Sequence, residues 1–222
     1  MSAEMTPTAI IATRVARELK SGMLVNLGIG LPTQVANYLP KDIRVYFQSE
    51  NGLIGTGALP AEGMDNPWLT DAGGTPVTAL PGACTFDSAV SFGLIRGGHV
   101  DLTVLGALQV DHAGRLANWM IPGRMVPGMG GAMDLVCGCK RVIVAMQHTA
   151  KGKPKIVKEL TLPLTSLRPV DVVVTELAVI AFPHGHATLV ERAPGVSVEQ
   201  IVAATGCHLW VPPDVPEMPL GA

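Results

Sequence analysis

Residues 23–30 read MLVNLGIG. A short apolar run passes directly into a loop carrying two glycines, and Leu31-Pro32 then opens a helical pattern with Val35 and Leu39 on its inner face. Strand, tight turn and helix in succession are the building unit of an α/β sheet. Upstream, Thr6-Pro7 places an N-cap before a proline at the first helical position. Ile11, Val15 and Leu19 then form one helical face, which Ser21-Gly22 ends. Downstream, RVYFQ (44–48) has the β-branched and aromatic content of a strand and delivers the chain to Ser49-Glu50-Asn51-Gly52. The stretch from there to Gly74 is rich in Gly, Pro and Asp and reads as a long loop, a kind of segment that often carries function.

The rhythm resumes at PVTAL (76–80), a strand, and continues with a helix from Asp87 to Arg96 that stops at Gly97-Gly98. VDLTVLGALQV (100–110) reads as one buried strand and DHAG (111–114) as a turn, while RVIVAMQ (141–147) and DVVVTELAVIAF (171–182) supply further strands. PHGH (183–186) is a hairpin turn, and Ser197 with Gln200 forms a capping box for a last helix ending at Gly206. The tail from Val211 carries four prolines and is expected to be extended. Helices alternate with strands in the first half, and hairpins appear in the second. The expectation is an α/β fold: a single domain over 1–222, with an open mixed sheet and a core over about 10–206.

Apolar residues make up 48 % of the 222 and charged residues 15 %, with a mean hydropathy of +0.36. That is oilier than an ordinary soluble monomer. No run of about eighteen uninterrupted apolar residues offers a membrane span, so the composition points to a large interface with another chain. The formal charge is −2, without a basic stripe, which argues against nucleic acid. The start, MSAEMTPTAI, lacks the features of a signal peptide, and the four cysteines form no CxxC pair. Reduced thiols and a cytoplasmic location are expected.

Among chemical groups, there is no GxSxG elbow, and the six histidines form neither HExxH nor a Cys/His ladder. No protein-bound metal and no tightly bound cofactor are expected. Cys84, near His99 in sequence, reads as a packing residue rather than a nucleophile. NLGIG lacks the third glycine of a dinucleotide loop, since position 33 is Thr. Gly28 and Gly30 suit a tight turn that packs against a ligand, with Asn26 as its polar contact. Glu50 has two readings: a solvated surface acid, or a carboxylate at the strand-end position where open α/β sheets bind ligands. PGMGGAMD (127–134) likewise reads either as a flexible loop or as a glycine-lined helix start able to hold an oxyanion.

SENG (49–52), NLGIGLP (26–32) and ANWMIPGRMVPGMGGAMDLV (117–136) together resemble the beta-type chain of class I CoA-transferases, the 3-oxoacid group most closely. The resemblance runs from about Ile11 to about Thr205. It implies the open α/β sheet shared with sugar-phosphate isomerases and a glutamate nucleophile at Glu50. It also implies an oxyanion-holding backbone N–H at Gly131 and a place in the site for Asn26, which with Gly28 and Asn51 makes up the candidate substrate- or CoA-binding residues. Acyl-CoA and a 3-oxoacid would be the substrates, succinyl-CoA with acetoacetate first. The family's alpha (A) subunit carries a separate glycine-rich CoA motif not found in this sequence, so the resemblance implies a hetero-oligomer with a CoA-transferase alpha-type partner. Asn51 and Asn26 are expected to donate to the Glu50 carboxylate, and Leu53, Ile54, Met129 and Met133 to keep water away. Gln147, where relatives often carry Glu, is expected to have only a local surface effect.

Overall fold

The computed structural model describes residues 5–123 and 130–221. Part of the 117–136 motif, Met129 included, therefore lies outside the described residues.

The chain starts with α1 (Pro7–Ala16), whose Thr6 hydroxyl accepts from the Ala9 N–H ahead of Pro7. Then come β1 (Leu24–Leu27), a 3-10 helix (Leu31–Tyr38), β2 (Tyr46–Ser49), β3 (Leu53–Thr56), β4 (Ala79–Thr85) and α2 (Ser88–Arg96). The middle of the chain holds β5 (Leu102–Leu105), β6 (Gln109–Asp111), β7 (Leu116–Ala117), α3 (Ala132–Gly138) and β8 (Arg141–Ala145). The short strands β9 (Thr149–Ala150), β10 (Lys153–Pro154) and β11 (Ile156–Val157) follow, then β12 (Val172–Val174), β13 (Ala178–Ala181), β14 (Thr188–Arg192) and α4 (Val198–Ala204). Ser197 and Gln200 close the capping box at the start of α4.

Nine strands form one sheet in the order β14-β13-β12-β8-β5-β1-β2-β3-β4. The five from β12 to β2 run parallel, and antiparallel pairs finish both edges. The sheet is thus mixed and α/β, as expected. Its two faces carry separate cores, because side chains alternate along a strand. Val142 and Val144 face α2, α3 and α4 with Ile95, Leu135 and Ile201. Ile143 and Ala145 face α1 with Ile11, Val15 and Val35. The buried strands read as near-continuous apolar runs for this reason.

Three local expectations change. The segment after Leu31 forms a 3-10 helix rather than an α-helix. The run 100–110 is not one strand: β5 ends at Leu105, and β6 belongs to a separate three-stranded sheet with β7 and β11. The loop predicted after SENG starts later, because β3 follows at once and makes Glu50-Asn51-Gly52 the tip of a hairpin. The tail runs beside β14, where the Met218 N–H donates to the Arg192 carbonyl and Met218 is buried.

Candidate active site

The hairpin tip depends on glycine. Gly52 has φ +118°, and a Cβ there would lie 2.0 Å from the Phe86 carbonyl oxygen. Only glycine fits such a position. Gly55 lets β3 approach β4, since a Cβ would meet that of Ala83 at 2.8 Å. These contacts fix the tip and leave Glu50 half-buried at the carboxyl edge of the parallel strands.

Glu50 is held from inside the sheet. Asn26 on β1 is fully buried, and its amide donates to Glu50 Oε2 at 3.1 Å. The same amide donates to Gln48 Oε1 at 2.9 Å, and the Thr103 hydroxyl donates to Asn26 Oδ1 at 3.3 Å. Gln48 in turn donates to the Ser91 hydroxyl on α2 at 3.0 Å. Register explains the row: Gln48 pairs with Asn26, and Asn26 with Thr103, across three parallel strands. Buried polar groups cost stability unless bonded, so this fully bonded row fixes the Asn26 rotamer and through it the carboxylate.

Gly131, the residue that caps α3, faces Glu50 from the other side. A Cβ there would lie 3.2 Å from Glu50 Cγ and 3.3 Å from Oε1. With Oε2 on Asn26, Oε1 is the oxygen turned toward Gly131. Phe92 on α2 closes the same space, 3.4 Å from that Cβ position. An Arg96–Asp134 ion pair of 2.7 Å ties α2 to α3.

The structure brings together Glu50, Asn26 and Gly131, and it moves two other candidates. Asn51 is exposed and donates to the Thr70 carbonyl at 2.8 Å, so its amide anchors the 57–78 loop and does not reach Glu50. Gly28 serves close packing: its N–H donates to the Val104 carbonyl at 2.8 Å, and a Cβ would meet that oxygen at 3.1 Å. Asn26, being fully buried, acts on Glu50 and not as an exposed ligand contact. Leu53 is buried in the hairpin, and Ile54 and Met133 are half-buried. Gln147 is exposed, as is the His184-Gly185-His186 turn.

Sequence reasoning missed Gln48, Thr103 and Ser91. The available signal was a polar residue inside otherwise apolar strands, but only register shows that they meet. Cys84 is exposed, and burial pushes the Cys139 and Cys207 thiols up to about 12 and about 11. That is the opposite of thiol activation. Among the described residues, no three His, Cys, Asp or Glu side chains are grouped to hold a metal.

Beside the hairpin, between it and the 3-10 helix, lies a cavity of about 710 Å³. Leu27, Ile29, Phe47, Ser49, Asp71 and Thr75 are among the residues lining it.

An open mixed sheet with a fixed carboxylate at the strand ends, opposite a glycine-started helix, defines an α/β chain of the coenzyme A-transferring class. The coenzyme A transferase family model matches residues 8–204, and the chain belongs to that family as a chain of the beta type. It is 55 % identical over 215 residues to the beta chain of the acetate CoA-transferase of Haemophilus influenzae, covering 96 % of each chain. It is 52 % identical over 202 residues to the corresponding chain of the succinyl-CoA:3-ketoacid coenzyme A transferase of Helicobacter pylori, covering 90 % of this chain and 97 % of that one. The acyl-CoA transferase YdiF of Escherichia coli O157:H7 shares the fold with a TM-score of 0.74 at 21 % identity. That match covers 99 % of this chain and 44 % of the longer one.

Proposed function

We propose that this chain is the catalytic beta component of a 3-oxoacid CoA-transferase, in the cytoplasm, working with an alpha-type partner, and that Glu50 is its acyl carrier. The observation that carries this reading is the Glu50 carboxylate, with one oxygen on the buried Asn26 amide and the other turned to Gly131. A surface acid has no need of such a cradle.

Glu50 Oε1 attacks the thioester carbonyl of the donor acyl-CoA. The C–S bond breaks, giving an acyl-glutamyl anhydride and CoA thiolate. The thiolate then attacks the Glu50 carbonyl carbon, the donor acid leaves as carboxylate, and a glutamyl-CoA thioester remains. The acceptor carboxylate runs the two steps in reverse, so the kinetics are ping-pong. Each step passes through an oxyanion, which the Gly131 N–H and a donor from the partner would stabilise, each worth about 3–4 kcal/mol. Phe92 and Met133 limit water at the reacting carbon, and no metal or tightly bound cofactor takes part.

Succinyl-CoA with acetoacetate is the leading pair, by likeness to the 3-ketoacid relatives. An acetyl-type donor is the second reading. It is favoured by the cavity beside the hairpin, where Asp71 is the one charged residue among the described residues lining it. A second carboxylate would find no cation of this chain there.

The test is intact-mass analysis of the complex after incubation with acetoacetyl-CoA, followed by peptide mapping. A CoA adduct on the Glu50 peptide, absent in Glu50→Ala, is the expected result. A folded complex that turns over without forming the adduct would remove Glu50 from its role. Competition between succinate and acetate as acceptors separates the two donor readings.

A further inference from the structure

A second crevice opens at the same edge of the sheet. After β1 the chain turns to the 3-10 helix on the α1 face, whereas after β5 it continues through β6 and β7 to α3 on the opposite face. Diverging exits of neighbouring parallel strands leave a gap at their carboxyl ends, and open α/β sheets bind ligands there. The gap here measures about 250 Å³, with Ile29, Leu31, Gly106, Met146, Gln147 and Lys155 among the residues lining it.

Lys155 is the one charged residue among the described residues that line this crevice. It is half-buried. Among the described residues, no carboxylate lies within ion-pair distance of its ammonium. Glu176, whose charge it feels, already accepts the His148 backbone N–H at 2.9 Å. Burial holds the lysine below its ordinary range, and Glu176 offsets this only in part. A cation placed this way gains from an anion entering the crevice.

Distance selects the anion. The Lys155 N–H donates to the His148 carbonyl, just beyond β8, and β8 stands three strand spacings, about 14 Å, from β2, which ends beside Glu50. An extended chain advances about 1.2 Å per bond, so the roughly thirteen bonds from the CoA sulfur to its first phosphorus span about 15 Å. A short dicarboxylate held at Glu50 ends far short of this. We propose that the Lys155 crevice binds a phosphate of the CoA whose sulfur reacts at Glu50, an inference that rests on the acyl-carrier reading of Glu50.

The experiment compares Lys155→Met with wild type, each in complex with the alpha-type partner, using acetoacetyl-CoA and the nucleotide-free acetoacetyl-pantetheine. The expected result is a KM for the CoA thioester raised about 10- to 100-fold, the loss of one charged hydrogen bond. The pantetheine thioester should be unaffected, and Lys155→Arg should recover part of the loss. Equal losses on both thioesters, or none, would overturn the inference. So would a raised KM for succinate alone, which would assign the crevice to a second carboxylate. Calorimetric binding of free CoA to wild type and Lys155→Met needs no chemistry. Failure of the glutamyl adduct is therefore separable from failure here.

Discussion

The Glu50 carboxylate is governed by one amide that cannot be replaced from solvent. Asn26 donates at once to Glu50 and to Gln48, and its own oxygen is taken by Thr103. Replacing it with leucine removes the bond to Glu50 and leaves Gln48 Oε1 and the Thr103 hydroxyl without their partner in a dry setting. Asn26→Leu is expected to lower kcat about 10- to 100-fold and destabilise the chain by about 1–3 kcal/mol. Turnover at saturating acyl-CoA and a denaturant titration check the two effects separately. An unchanged kcat in a folded complex would show that the amide does not position the nucleophile. Asn51→Leu makes the contrast, since its amide sits on Thr70 and the loss should reach activity only through the 57–78 loop.

Elements marked by local chemistry were legible in the sequence: α1 from its Thr-Pro start, α2 from Asp87 to the double glycine, α4 from its capping box. The Glu50 position could be suspected from the strand-end glycines alone. What could not be read were features made by pairing. Strand β3 was hidden because Gly52 and Gly55 signal a loop, while in the fold they permit close approach to Phe86 and Ala83. The Gln48–Asn26–Thr103 row exists only through strand register. His148, just beyond β8, is placed by tertiary packing, which the sequence does not show either. It is fully buried, with Nδ1 3.0 Å from the Thr175 hydroxyl and Nε2 3.0 Å from that of Thr205 at the end of α4. Burial pushes its imidazole down to about 4 from an ordinary 6.5, so the folded chain keeps it neutral where the unfolded chain would protonate it. Stability from this group is therefore complete above about pH 6.5 and falls as the pH drops toward 4, by about 3 kcal/mol in all. Denaturant midpoints at pH 7 and pH 4.5 should differ less in His148→Asn than in wild type. An equal difference would mean that other groups carry the acid sensitivity.

At the scale of the whole molecule, the apolar composition is only partly absorbed by the two cores. Ile29, Leu59, Met64 and Trp68 stay exposed, Trp68 at 93 %. Ile29 and Leu59 line the same cavity, and Ile29 lies 3.2 Å from a Cβ position at Gly73; Met64 and Trp68 are on the 57–78 loop that carries Leu59 and Gly73. Asn51 and Ser49 tie the loop to the hairpin, since the Ala72 N–H donates to the Ser49 hydroxyl at 2.8 Å. The apolar rim is thus fastened to the element that carries Glu50. Exposed apolar side chains gathered on one loop suit a protein partner. On the acyl-carrier reading of Glu50, a partner docked here would shield the intermediates from water and could bring an oxyanion donor to Glu50 in one step. Trp68 is the natural anchor, because large aromatic residues dominate interface energetics. Trp68→Ser should weaken association with the alpha-type partner about 30-fold or more, the effect of about 2 kcal/mol at a hot spot. The melting temperature of the isolated chain should hardly move, because the indole makes little contact within it. Sedimentation velocity over a concentration series reads the association and calorimetry reads the melt. Wild-type affinity in Trp68→Ser would place the contact between the two chains on another face, and with it the source of the second oxyanion donor.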